Sequence, residues 1–179
     1  YVEFNYDGKI GQCSLGLRYE NIGYKYYEGG SYKENQSKHF NNFFPSISFS
    51  KQNGDFAYQL EYSIKTQRPS YSQLSNNISY ANRFLRQSGN PLLKHQIDHV
   101  LTAALTYKFL QFSLEYKDSK NAIIYWVDQL QNNPYVSMIR FKNQKSVKNI
   151  TAYLSLSPTI GFWSPQLNCG LTKQWLKLD

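Results

Sequence analysis

The chain alternates. From Phe56 to Lys65, the large side chains Phe56, Tyr58, Leu60, Tyr62 and Ile64 interleave with Ala57, Gln59, Glu61, Ser63 and Lys65. In an extended strand the two sets stand on opposite faces, one apolar and one polar. The pattern returns at Cys13-Leu15-Leu17-Tyr19, at Ile97-His99-Leu101-Ala103-Leu105-Tyr107-Phe109 and at Leu167-Cys169-Leu171. It predicts strands near residues 1–6, 12–27, 39–51, 56–67, 96–109, 112–116 (running on toward 126), 135–141, 147–157 and 166–175. Tight turns are expected at Asp7-Gly8-Lys9, Asn53-Gly54-Asp55, Leu110-Gln111 and Pro158-Thr159-Ile160-Gly161. Residues 28–38 and 129–134 read as polar loops. Residues 69–95 form the longest stretch without a period, with room for a short helix within 71–86. Roughly eight or nine one-sided strands, joined alternately by short turns and long loops, are the sequence form of an antiparallel up-and-down transmembrane β-barrel. No apolar recurrence at helical spacing competes with this reading.

Composition sharpens the picture. The 16 Tyr and 11 Phe among 179 residues favour strands. Mean hydropathy is −0.60, and no apolar run is long enough for a transmembrane helix. Low hydropathy fits a wide barrel, in which every second residue faces water. The net charge of +8 is spread over strands and loops without a compact basic run, which argues against a nucleic-acid partner. Cys13 and Cys169 sit far apart within alternating segments and read as free thiols. The N-terminus carries no signal-peptide pattern, and the chain starts inside a strand, as a mature form or a piece of something longer would.

Candidate chemistry is sparse. His95 and His99 have metal-ligand spacing for a helix, but in a strand they stand about 13 Å apart. No metal or cofactor is expected. Glu61 and Glu115 fall on polar faces and could be imagined as a glycosidase pair. Lumen-lining charges are the simpler reading. No nucleophile, zinc or phosphate-loop motif occurs, so an enzyme is not expected. Three Asn-x-Ser/Thr triplets, at Asn35, Asn77 and Asn149, carry little weight. In the 69–95 loop, Tyr71, Tyr80, Arg83, Phe84 and Arg86 place aromatic rings beside guanidinium groups, a combination able to hold a ligand or to pack the loop. Trp126, Trp163 and Trp175, with Tyr24, Tyr26 and Tyr27, are candidates for an interfacial girdle.

Several segments, in order, resemble one family. Leu17-Arg18-Tyr19-Glu20, Phe43-Phe44-Pro45-Ser46-Ile47-Ser48-Phe49-Ser50, Gln67-Arg68-Pro69-Ser70-Tyr71 after Tyr62-Ser63, Gly89-Asn90-Pro91-Leu92-Leu93-Lys94 and Lys120-Asn121-Ala122-Ile123-Ile124 are similar to successive strands of TonB-dependent receptors and related outer-membrane barrels of Gram-negative bacteria. His95-Gln96 departs from the Pro-Glu that usually follows. The resemblance implies that residues 1–179 are a partial barrel domain, about eight or nine strands of a barrel of about 22. It implies the cell outer membrane as location and nutrient binding and uptake as function. It also implies partners: outer-membrane lipid, a plug domain and further strands from the parent protein, and an inner-membrane energy-coupling complex reached through that plug. A surface lipoprotein could be added to these. The chain shows no plug or coupling segment and ends on Leu178-Asp179 rather than a terminal aromatic, so an internal or truncated part is expected. Two other architectures fit the alternation: a soluble carbohydrate-binding β-sandwich and a small structural barrel of eight strands.

Overall fold

A computed structural model describes residues 1–130 and 133–177. The strands are β1 (Val2–Gly8), β2 (Gly11–Tyr24), β3 (Tyr27–Glu28), β4 (Ser31–Tyr32), β5 (Lys38–Asn53) and β6 (Phe56–Gln67). A single helical turn, α1 (Tyr71–Leu74), follows. The chain continues through β7 (Ile78–Asn82), β8 (Leu85–Ser88), β9 (Gln96–Tyr107), β10 (Leu110–Leu130), β11 (Asn133–Leu156) and β12 (Leu167–Leu176). Among the described residues, ten strands form one sheet in the order β1-β2-β5-β6-β9-β10-β11, with β12 and β8 both beside β11 and β7 beyond β8. β3 and β4 make a separate hairpin. No helix is long and apolar enough to cross a membrane, which says nothing of crossing by strands.

The registers carry the two-faced pattern across the sheet. Leu17, Pro45 and Tyr62 fall in one set of rows with Leu101, Tyr116 and Ile150. Leu60 pairs with Phe49 and Ala103, and Ala103 with Leu114. The alternate rows are polar. Ser14, Ser48, Glu61, Thr102, Glu115, Thr151 and Thr172 follow one another strand by strand. A one-residue slip would exchange the faces, so the alternation itself holds the register. Cys13 and Cys169 are both free and both on the apolar face.

The two ends of the sheet differ. At one end the connections are two residues long between β1 and β2, β5 and β6, and β9 and β10. Gly54 takes φ 60° as the first central residue of the β5–β6 turn, as a primed hairpin turn requires. The β9–β10 reversal is at Lys108-Phe109, not Leu110-Gln111. Lys108 accepts φ 50° without a glycine to announce it, and Tyr107 pairs directly with Leu110. The other end carries the long connections, residues 25–37 and 68–95.

Three further expectations are corrected. Residues 135–141 and 147–157 are not two strands but parts of β11, because Asn143 to Ser146 remain in ladder contact with β10. The 129–134 loop narrows accordingly; Gln131 and Asn132 lie outside the described residues. The 28–38 loop contains the β3–β4 hairpin, and β2 stops at Tyr24. The 69–95 segment holds α1 where a short helix had room, but also the β7–β8 hairpin, which the absence of a period did not announce; β8 pairs with β11 in parallel over Ser137–Arg140, where the other strand pairs of the described residues are antiparallel. A sandwich would need two packed sheets. A small closed barrel would need β1 to meet the far edge, but among the described residues β1 pairs only with β2.

Candidate functional site

At the long-loop end, the polar face opens into a cavity of about 770 Å³. Glu20, Ile22 and Tyr24 of β2 share rows with Asn42, Phe40 and Lys38 of β5, so alternation aims Glu20, Tyr24, Phe40 and Asn42 into the same space. Arg68 enters from the end of β6, where Pro69 stops the ladder. Tyr71 and Leu74 of α1 and His95, just before β9, close the far side. A capping box fixes α1: the Gln73 amide donates to Ser70 Oγ at 3.3 Å, and the Ser70 amide donates to Gln73 Oε1 at 2.8 Å.

One carboxylate serves two guanidinium groups. Arg68 Nη2 donates to Glu20 Oε2, and Arg18 Nε lies 3.4 Å from Glu20 Oε1. Arg18 also stacks over Phe44 at 5.1 Å from the ring centre. The His95 ring stands edge-on to Phe40, with centroids 4.3 Å apart. Burial first, then the positive charges of Arg68 and Lys38, hold His95 below the usual histidine range. The Tyr24 hydroxyl is enclosed without a hydrogen-bond partner. The arrangement is a cleft with aromatic walls, positive charge in excess and an unsatisfied hydroxyl. It is suited to binding a molecule that offers acceptors and a planar or apolar body.

Of the residues singled out from the sequence, Tyr71 lines this cavity and is 93% exposed. The other four are brought together elsewhere. Tyr80 faces Arg86 across the β7–β8 hairpin, with the guanidinium 5.3 Å from the ring centre, and Arg83 covers Phe84 at 4.6 Å. That hairpin sits against β11, outside the cavity lining. Sequence reasoning missed Glu20, Tyr24, Phe40, Arg68 and His95 as a group. Their one available signal was charge and aromatic character continuing along the polar face of β2 and β5 beyond the alternating belt.

The other candidates separate. His95 lies in the cavity wall, whereas His99 is on the apolar face, with Nδ1 2.9 Å from the Tyr62 hydroxyl. Among the described residues no group of His, Cys, Asp or Glu could hold a metal. Glu61 and Glu115 both flank Thr102 in one row, two strands apart, about 10 Å between backbones.

A family model described as the outer membrane protein beta-barrel family matches residues 1–178. The chain belongs to that family. Its place is the cell outer membrane, and in this barrel wall the apolar face meets lipid while the polar face lines the lumen. No curated protein matches the sequence. Among solved structures, the siderophore receptor PirA from Pseudomonas aeruginosa is 16% identical with a TM-score of 0.73, covering 97% of this chain and 33% of that one. The ferric enterobactin receptor PfeA from the same organism, as an R480A mutant in complex with enterobactin, is 16% identical with a TM-score of 0.59, over 92% and 25%. PirA from Acinetobacter baumannii is 15% identical with a TM-score of 0.55, over 93% and 26%. The likeness is one of fold, and the chain spans a third or less of each receptor's length.

Proposed function

We propose that residues 1–179 are a wall segment of a TonB-dependent receptor that binds a nutrient at the cell surface and takes it across the outer membrane. In this reading the rest of the protein supplies a plug and the remaining strands. Transport is driven through that plug by an inner-membrane energy complex. The 25–37 and 69–95 loops face the exterior, and the short turns face the periplasm, as in other barrels of this kind. The single observation that carries the reading is the cavity between β2, β5, β6 and the 69–95 segment. It sits on the lumen face at the long-loop end, where an incoming solute would first meet the wall. Its aromatic rings and excess positive charge suit an anion that carries aromatic rings, and the fold likeness to siderophore receptors makes ferric enterobactin the first probe to use.

The test uses the intact receptor in its own outer membrane. Arg68→Ala together with Tyr71→Ala should weaken uptake, while the barrel still assembles and keeps its heat-modifiable mobility on gels. Deleting residues 78–86 separates the two parts of the loop. It removes Tyr80, Arg83, Phe84 and Arg86 and leaves Arg68 and His95. Uptake that is indifferent to both changes would remove this cavity from the mechanism.

A further inference from the structure

The stretch 89–95 is an unusual loop, because its polar groups are spent on itself, on the α1 turn and on the barrel wall. The Asn90 amide donates to Gln73 O at 2.6 Å, the Leu92 amide to Asn90 Oδ1 at 2.9 Å, the Leu93 amide to Asn90 O at 3.2 Å and the Lys94 amide to Asn143 Oδ1 at 2.7 Å. Pro91 has no amide hydrogen to place. Asn143 Nδ2 returns a bond to Lys94 O at 3.0 Å, and Asn90 Nδ2 donates to Phe141 O at 3.1 Å. Gln96 Oε1 accepts from the Ile123 amide at 2.9 Å, as a neighbouring strand would. From the opposite side, Lys38 Nζ donates to Leu92 O at 2.8 Å and to Leu93 O at 3.0 Å. Leu93 is wholly buried. A mobile loop would give these groups to water.

Lys38 and Asn143 stand on β5 and β11, which are four strand spacings apart in the sheet, about 19 Å along the wall. The segment joins them as a chord across the lumen side. It also carries the cavity's far wall. His95 directly follows Lys94, and α1 is packed against Gly89 so closely that a Cβ there would lie 2.3 Å from Ser75 O and 2.5 Å from Gln73 O.

We propose that residues 89–95 are a fixed strap, clamped by Lys38 and Asn143, and that these two act as positioning residues which hold His95 and α1 in place so that the ligand cavity is preformed. The proposal deepens the uptake reading, on which the cavity's role rests. The pocket selects its ligand as a rigid wall does. The β7–β8 hairpin, whose first strand is exposed, lies outside the strap and docks on β11 through β8.

The experiment is ligand-free hydrogen exchange on the intact receptor in phospholipid nanodiscs, followed by histidine titration by NMR. In the wild type, the amides of Asn90, Leu92, Leu93 and Lys94 should be protected nearly as well as those of β6 and β9. Lys38→Met and Asn143→Ala should speed exchange at 89–95 and in α1 on the order of tenfold and leave β6 and β9 unchanged. Lys38→Arg, which keeps charge and donors, should restore protection. The charged groups around His95 are Arg68 just after β6, Lys38 from β5, the adjacent Lys94, Lys25 along the cavity wall and Glu20, which is bound to Arg68. Removing Lys38 should therefore move the His95 titration upward, and Lys38→Arg should return it. Unprotected strap amides in the wild type, or a Lys38→Met protein with strap and titration unmoved, would overturn the proposal. If Lys38→Met does not assemble, Asn143→Ala carries the exchange test alone. A receptor with a protected strap that ignores ferric enterobactin would count against the siderophore probe and not against the clamp.

Discussion

The turn half of the sheet and its loop half obey different rules. In the turn half, each strand position has one duty: lipid on the apolar rows, lumen on the polar rows between them. Phe56, Leu60, Leu101 and Leu105 remain 37–50% exposed because their partner is lipid rather than protein. In the loop half, the lumen face acquires protein neighbours. Phe44, Leu93, Val136, Met138 and Phe141 are buried there, and side chains spend their hydrogen bonds on backbone. The first region is stabilised by a repeated pattern that tolerates exchange within a class. The second depends on particular atoms in particular places. Substitution should expose this difference.

The largest effect belongs to the belt. Leu60→Arg puts a charge on the lipid face and should cost about 2–4 kcal/mol in urea-monitored folding into bilayers. Gln59→Leu, one residue away on the lumen face, should change the midpoint little. Equal effects from both would erase the distinction between the faces.

Next comes Gly89→Ala in the loop half. The added methyl meets backbone oxygens of residues 72, 73 and 75, which cannot swing away as a side chain would. A cost of about 1–3 kcal/mol is expected for such overpacking. It should be read as faster exchange and proteolysis within 71–95, with the belt strands still protected. A belt that loosened as much as the loop would mean that the two regions are one cooperative unit.

These two cases also show what could be read in advance. Leu60 and Gln59 are legible because a period of two needs only local sequence, and register then spreads it across the sheet. The strand order, the tight turns and the polar lumen face follow from it. Gly89, Lys38 and Asn143 are not legible that way. Their partners are 14 to 55 residues distant, and nothing in a lysine at the start of a strand says that it will reach carbonyls at 92 and 93. Aromatic and arginine content picked out Tyr80, Arg83, Phe84 and Arg86, which stack in pairs within the β7–β8 hairpin, while Arg68 and His95 line the cavity. The turn at Lys108-Phe109 was misplaced for a similar reason: lysine at φ 50° leaves no compositional mark.

A smaller effect should follow pH in the loop half alone. Burial and the neighbouring cations hold His95 below the unfolded histidine value of 6.5. The unfolded segment therefore binds more protons than the folded one as the pH falls through 6.5, and the contribution to stability, complete above that value, is lost as the pH goes down toward the lowered folded value. Exchange in 89–95 should quicken between neutral and mildly acid pH, and His95→Gln should flatten that dependence. The turn half should not respond. An acid sensitivity that survived His95→Gln would assign it to another group.

The smallest effect is expected in the turn half, at a contact that looks specific. Lys108 Nζ lies 3.4 Å from Asp55 Oδ2 and joins two neighbouring tight turns, with both side chains more than half exposed. Water and salt screen such a pair, and holding two side chains in one geometry costs entropy. The turns are held instead by backbone: the Lys108 amide donates to Asp55 O at 3.4 Å, and the flanking residues Tyr107 and Phe56 pair across β6 and β9 with stacked rings 4.2 Å apart. Asp55→Asn should thus leave the urea midpoint unmoved at physiological ionic strength. Gly54→Ala next to it should lower the midpoint, because φ 60° strains a residue with a Cβ. If Asp55→Asn proved as costly as Gly54→Ala, the turn half too would depend on particular side-chain contacts, and the contrast between a patterned region and an atom-specific one would fail where it looks safest.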